Sequence, residues 1–240
     1  MEKYALITGA SGGIGRSIAQ KLASEGYSLY LHYHTNEKAV TELMAELDSF
    51  EIELIPIQAD LSSKDGYLHL ANNIFSLDAI VLNSGSSVYG LVTEMEEHTV
   101  QQMVQLHVTT PFLISKMLLP KLMNKKQAAI VAITSIWGQT GASYEVLYSM
   151  VKGAQNAYVK ALSKELAPTG IRVNAIAPGA ISTPMMEDFS PEDLLNLQAE
   201  IPMGRMGTPG EIAETAAFLL SDKASYMTGQ ILGVNGGWYT

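Results

Sequence analysis

The 240-residue chain contains no cysteine, which excludes disulfides and thiolate metal sites. No apolar run reaches the ~18 residues that a membrane-spanning helix needs. Cations are in deficit, 15 Lys and Arg against 24 Asp and Glu, for a net charge of −9. That balance disfavours nucleic acid and anionic membrane as main partners. Linkers rich in Pro, Gly or Ser and low-complexity segments are missing as well. The start, Met1-Glu2-Lys3-Tyr4-Ala5-Leu6-Ile7-Thr8, is too short for an export signal and leads straight into glycines, so a cytoplasmic location is expected.

What is present suits one globular domain over residues 1–240, since α/β domains of this size need not split. Short apolar strand candidates run over Tyr4–Thr8, Ser28–Tyr33, Glu53–Gln58, Ala79–Asn83, Ala128–Thr134, Arg172–Ala177 and Ile231–Val234. Between them lie amphipathic segments such as Ile14–Glu25, Glu37–Phe50, Val100–Met123, Tyr144–Ala167 and Pro209–Leu220. This alternation predicts a doubly wound parallel sheet of Rossmann type with helices on both faces. The irregular stretch from Pro178 to Pro209, acidic and helical near Glu187–Glu200, predicts a small lid at about 180–208 beyond the strand ends.

Thr8-Gly9-Ala10-Ser11-Gly12-Gly13-Ile14-Gly15 follows the first strand and opens the first helix. Glycines there allow close backbone approach, and a helix N-terminus offers free N–H groups and a positive dipole end to a pyrophosphate. An acid at the end of the second strand would bind ribose hydroxyls and repel a 2′-phosphate. The sequence there is Leu31-His32-Tyr33-His34-Thr35-Asn36, with no acid before Glu37. NADP(H) is therefore expected, its phosphate held by Ser11, His34, Thr35 and Asn36, with an affinity that falls as histidine loses its charge. His32 and His34 could pair on a metal, but no third ligand is near in sequence; no metal is expected.

Tyr148 and Lys152 stand four residues apart, on one face of a helix, and Ser135 precedes them in Ile133-Thr134-Ser135. An ammonium about 5 Å from a phenol oxygen would be worth roughly 3 kcal/mol at an effective dielectric near 20, lowering the phenol pKa by about two units. Such a phenol suits proton transfer to a developing alkoxide.

With these motifs in hand the chain resembles the short-chain dehydrogenase/reductase family over essentially its full length. Further matches are Asp60 in Ala59-Asp60-Leu61, Leu82-Asn83-Ser84-Gly85, Asn174, Pro178-Gly179 followed by Thr183, Thr228-Gly229-Gln230 and Val234-Asn235-Gly236-Gly237. Within the family it looks most like the 3-oxoacyl-[acyl-carrier-protein] reductases. The resemblance implies reduction of a ketone by NADPH, with Tyr148 as proton donor and Ser135 fixing the carbonyl oxygen. Lys152 would tune Tyr148 and contact the nicotinamide ribose, and Tyr148 would also contact the cofactor. Gly9, Gly13, Ile14, Gly15, Asp60, Leu61, Asn83, Gly85, Pro178, Gly179, Ile181 and Thr183 complete the expected cofactor site.

The family's fourth catalytic position, usually asparagine, is His107 here. Its backbone carbonyl supports a proton relay to the lysine in the family. Pro111, four residues later, lacks the N–H that would bond that carbonyl, so the carbonyl is expected to be free. His107 is expected to add a second titrating group.

Substrate is expected to meet Trp137, Tyr144 and Met185, with Ile136, Val146 and Ala180 beside them. A carrier protein, being acidic, would need basic residues near the cleft, for which Lys125, Lys126 and Arg172 are candidates. Thr169 stands where carrier reductases often have arginine. The resemblance also admits a ketone on a protein side chain, such as an alkylated lysine of elongation factor P. A non-catalytic cofactor-binding scaffold or sensor is the alternative of another class. The family's usual assembly implies a homotetramer, built on the long helices and on Trp238-Tyr239.

Overall fold

The computed structural model describes residues 2–123, 125, 127–184 and 190–240. All seven expected strands form: β1 (Lys3–Ile7), β2 (Tyr27–Tyr33), β3 (Leu54–Gln58), β4 (Ala79–Leu82), β5 (Ala129–Ile133), β6 (Arg172–Pro178) and β7 (Ile231–Val234). They make one sheet in the order β3-β2-β1-β4-β5-β6-β7, and every pairing is parallel. The sheet turns over between β1 and β4, which opens a crevice above their C-terminal ends.

The central strands β4 and β5 are buried on both faces and are continuously apolar rather than alternating, while the edge strands β3 and β7 are only partly covered. Ala5 and Ile7 pack toward α1 (Gly13–Ser24), α2 (Glu37–Leu47) and α9 (Pro209–Leu220) through Ile18, Leu22, Leu43 and Ile212. Tyr4 and Leu6 point to the other face, against Leu70 of α3 (Gly66–Asn72), Ile114 and Leu118 of α5 (Thr110–Leu122), and Val159 of α7 (Val146–Leu166). Each such fully buried side chain contributes about 1.5–3 kcal/mol of transfer free energy.

The expected long helix over Val100–Met123 is divided: α4 (Glu97–Val104) and α5 are joined by a π-helical turn, Gln105–Thr109. The short α6 (Trp137–Thr140) follows β5. In the expected lid, α8 (Pro191–Glu200) starts at a capping box between Ser190 and Asp193 and buries no residue completely. The feet of that insertion are pinned together, since Ser182 N donates to Gly207 O at 2.9 Å and Gly207 N to Ala180 O at 2.9 Å. None of the described helices is long and apolar enough to cross a membrane.

Candidate active site

A cleft of about 900 Å3 lies over the sheet crossover. Its phosphate end is the turn between β1 and α1. No side chain caps α1 and its first turn carries no acid, so its N–H groups face the cleft with the dipole's positive end. Only glycine fits at position 15, where a Cβ would lie 2.1 Å from the Gly9 carbonyl oxygen. His32 braces the turn from below: its Nδ1 accepts from Gly9 N at 3.0 Å and its Nε2 contacts Ala59 O at 3.0 Å. These partners fix the Nε2–H tautomer, and burial pushes the pKa down to about 4. His32 is thus a neutral core histidine. No cluster of three or more His, Asp or Glu able to hold a metal occurs among the described residues.

Every position expected to meet the cofactor lines this cleft except Thr35, which is exposed and accepts from Glu37 N through its carbonyl. At the end of β2, His34 Nε2 stands 3.8 Å from Asp60 Oδ1, and Asn36 caps α2 by accepting from Ala39 N at 3.1 Å. Asn83 holds the glycine turn to β4 through Nδ2, which donates to the Thr8 and Gly9 carbonyls at 3.0 and 3.1 Å.

Ser135, Tyr148 and Lys152 come together on one wall. The Ser135 hydroxyl accepts from Trp137 N at 3.1 Å and lies close enough to the Tyr148 phenol to lower its pKa. Lys152 differs from expectation. Its Nζ donates to Ile133 O at 2.9 Å and lies 5.5 Å from the centroid of the Tyr148 ring. Burial drives the lysine pKa down to about 7. It also raises the Tyr148 phenol, helped by the Glu145 carboxylate, against the lowering effect of Ser135. The expected lowering of the phenol is therefore not found in this geometry. Desolvation outweighs attraction because both groups are taken from water together.

His107 sits fully buried in the π-helical turn. The carbonyl that Pro111 cannot engage is met instead by Gln155 Nε2, at 2.8 Å. Gln155 was invisible as a site residue, because only the fold brings α7 against that turn. The His107 Nε2 contacts Ser86 O at 3.0 Å and Ser86 N at 3.2 Å. Burial, then the Lys152 charge, lowers its pKa to about 3. His107 is a neutral imidazole near neutral pH, which corrects the expectation of a second titrating group.

Trp137, Ile136 and Ala180 line the cleft, whereas Tyr144 does not. Tyr144 is 58% exposed and adopts φ +63°. Its carbonyl receives Gly90 N at 2.9 Å, so it shapes the loop rather than the cavity. Val146 is also exposed and off the wall, and Met185 lies outside the described residues. Trp238, expected at a subunit contact, lines the cleft and meets Trp137 edge to face at 5.1 Å. Glu145, Ser87 and Tyr89 line the cleft as well, and no local sequence pattern gives a signal for them.

The expected basic landing residues face elsewhere. Lys125 pairs with Asp78 at 3.2 Å, where Asp78 also receives Tyr4 N beneath β1. Arg172 opens β6 and donates to the carbonyls of Leu219, Leu220 and Ser221. Both lie at the N-terminal edge of the sheet, opposite the cleft. Lys126 is outside the described residues.

The family model described as enoyl-(acyl carrier protein) reductase matches residues 9–239. Among curated proteins, the chain is 57% identical to the uncharacterized oxidoreductase YmfI of Bacillus subtilis (strain 168), covering 100% of both. It is 34% identical to the 3-oxoacyl-[acyl-carrier-protein] reductase FabG of Staphylococcus aureus (strain Mu50), over 100% of this chain and 99% of that one. Among solved structures, angucycline C-6 ketoreductase LanV with bound NADP superposes with TM-score 0.92 at 27% identity, covering 98% of this chain and 94% of that one. A family model matched over nearly the whole chain, a relative of 34% identity covered end to end and a closely superposing fold place the chain in the short-chain dehydrogenase/reductase family of oxidoreductases.

Proposed function

We propose that this protein is an NADPH-dependent reductase that converts a ketone to a secondary alcohol. The observation that carries the reading is the convergence of Ser135, Tyr148 and Lys152 on a cleft whose other end is an uncapped helix N-terminus. The cradle fits a dinucleotide, since Gly15 keeps the turn flat and the first turn of α1 leaves its N–H groups to a pyrophosphate. His34, Asn36 and Ser11 would take the 2′-phosphate; β2 itself ends without an acid, and the one carboxylate beside it, Asp60, faces His34 at 3.8 Å. NADPH supplies the hydride when bound.

The protein's own residues supply the proton and the alignment. Ser135 holds the carbonyl oxygen beside the phenol, and Tyr148, kept protonated by its dry surroundings, donates as charge develops on that oxygen. Lys152, neutral or charged near pH 7, is poised to resupply the proton. The carbonyl of His107, engaged by Gln155, and the neutral imidazole wall the far side.

The substrate we propose is a tethered ketone of the 3-oxoacyl class, by likeness to the FabG relatives. A second reading, a ketone borne on a protein side chain such as an alkylated lysine of elongation factor P, is favoured by one observation: Lys125 and Arg172 are spent at the opposite edge and offer an acidic carrier nothing at the cleft. NADPH-coupled kcat/KM values for acyl-carrier-linked, CoA-linked, protein-linked and simple ketones, measured side by side, separate these readings. Inertness across the whole panel would favour a scaffold. The α8 insertion serves as the substrate lid, with Leu197 on the cleft wall. We also propose a cytoplasmic homotetramer, supported by the exposed Phe112, Val146 and Met150 on α5 and α7; light scattering at micromolar concentration giving a monomer would overturn the assembly.

A further inference from the structure

Glu145 sits at the start of α7, three residues before Tyr148, so the two side chains share a helix face. It is 8% exposed and makes no capping bond to the helix it precedes. Its carboxylate lines the cleft, accepting from Ser87 Oγ at 3.4 Å, with the Trp137 side chain close enough to favour its charged form. Both partners are neutral. Among the described residues no Lys, Arg or His forms an ion pair with it. Lys152 lies two turns along the helix, but its ammonium is given to the Ile133 carbonyl.

A carboxylate withdrawn from water without a counter-charge is costly unless something completes it. Here the surroundings are aromatic. Tyr89 and Tyr148 both feel the Glu145 charge, and Trp137 and Trp238 stand edge to face on the same cleft. A carboxylate among aromatic faces attracts a cation by Coulomb energy and by the ring quadrupoles at once, and it repels an anion. Since Tyr148 faces the reacting carbonyl, a cation at Glu145 would sit only a few bonds from that carbonyl.

We propose that Glu145, walled by Trp137, Trp238 and Tyr89, is a specificity site for a positively charged nitrogen on the substrate, so that the enzyme selects ketones carrying a cation close to the carbonyl. This rests on the ketone-reductase reading. It narrows the substrate class to cationic ketones.

The test uses two methyl ketones of equal chain length, one ending in trimethylammonium and the other in tert-butyl, which differ in charge and hardly in shape. For the wild type, kcat/KM with NADPH is expected to favour the ammonium ketone about tenfold or more; in Glu145→Gln that ratio should fall toward one, and Glu145→Asp should keep most of it. Calorimetric binding of the same two ketones to the NADP-loaded protein gives a readout independent of turnover, and a thermal melt checks that each variant is folded. Turnover of both ketones with a ratio near one, or a preference untouched in Glu145→Gln, overturns the site and leaves the reductase reading standing. Charge-selective binding that depends on Glu145, without turnover of either ketone, supports the site and counts against the reductase reading. Equal binding of the two ketones overturns the site whatever the turnover.

Discussion

The His107 imidazole stands edge-on to the Tyr148 ring, 6.0 Å between centroids at 89°. On its other side it fills the space that any side chain at position 85 would need, with Cε1 2.7 Å from where a Cβ on Gly85 would lie. His107 is thus a packing wall between the loop at Gly85 and the Tyr148 ring. A methyl group at position 85 must displace it, and Gly85→Ala is expected to cost about 1–3 kcal/mol in stability together with activity. His107→Ala in the same chain should restore most of the loss, because the two effects share one contact. Strictly additive losses in a double-mutant cycle would show that the contact does not matter.

Acid pH tests the neutral imidazole. The folded-state pKa near 3 lies below the ordinary 6.5, so the unfolded chain binds a proton between those values that the native chain refuses. Stability therefore falls as pH drops from about 6.5 toward about 3, by up to ~1.4 kcal/mol per pH unit from this group. In His107→Asn that slope should flatten in urea titrations, while the pH profile of kcat/KM above about pH 6 keeps its shape. A displaced profile would restore His107 as a titrating participant.

Lys152 makes a prediction of the same kind at alkaline pH. Its folded pKa near 7 is depressed from 10.5, so burial of the charge costs most below about pH 7, and the cost is relieved as pH rises toward about 10. Lys152→Met should be more stable than wild type by about 2–4 kcal/mol near pH 6, and the gap should close near pH 10, although the variant loses activity. Equal stability at both pH values would mean that the ammonium is well solvated.

Cofactor choice is tested at His34. His34→Ala should weaken NADPH binding several-fold while leaving NADH binding nearly unchanged, measured as the Kd of each. An NADPH Kd unchanged in His34→Ala would assign the 2′-phosphate to Ser11 and Asn36 alone.

The inner strands were legible because parallel strands buried on both faces must be apolar, and the partly covered edge strands β3 and β7 still kept short apolar runs, so all seven stretches from Tyr4–Thr8 to Ile231–Val234 became strands. The glycine turn and the Ser135, Tyr148, Lys152 wall were legible for a similar reason, since their chemistry forces residue types at set spacings. Glu145 and Gln155 were not, because each gains its meaning from a neighbour far along the chain, Ser87 and His107 respectively. The sign of the phenol shift was missed for a physical reason. Spacing gives the distance between Tyr148 and Lys152 but not the depth at which both lie, and depth decides whether attraction or desolvation wins.

In the proposed reaction Tyr148 gives the proton while the rest of the cleft holds cofactor and ketone. Single-turnover loss of NADPH absorbance, with a ketone reduced by the wild type, should slow by about 10²–10⁴-fold in Tyr148→Phe while the NADPH Kd stays within about twofold. Reduction by Tyr148→Phe at the wild-type rate would contradict the account.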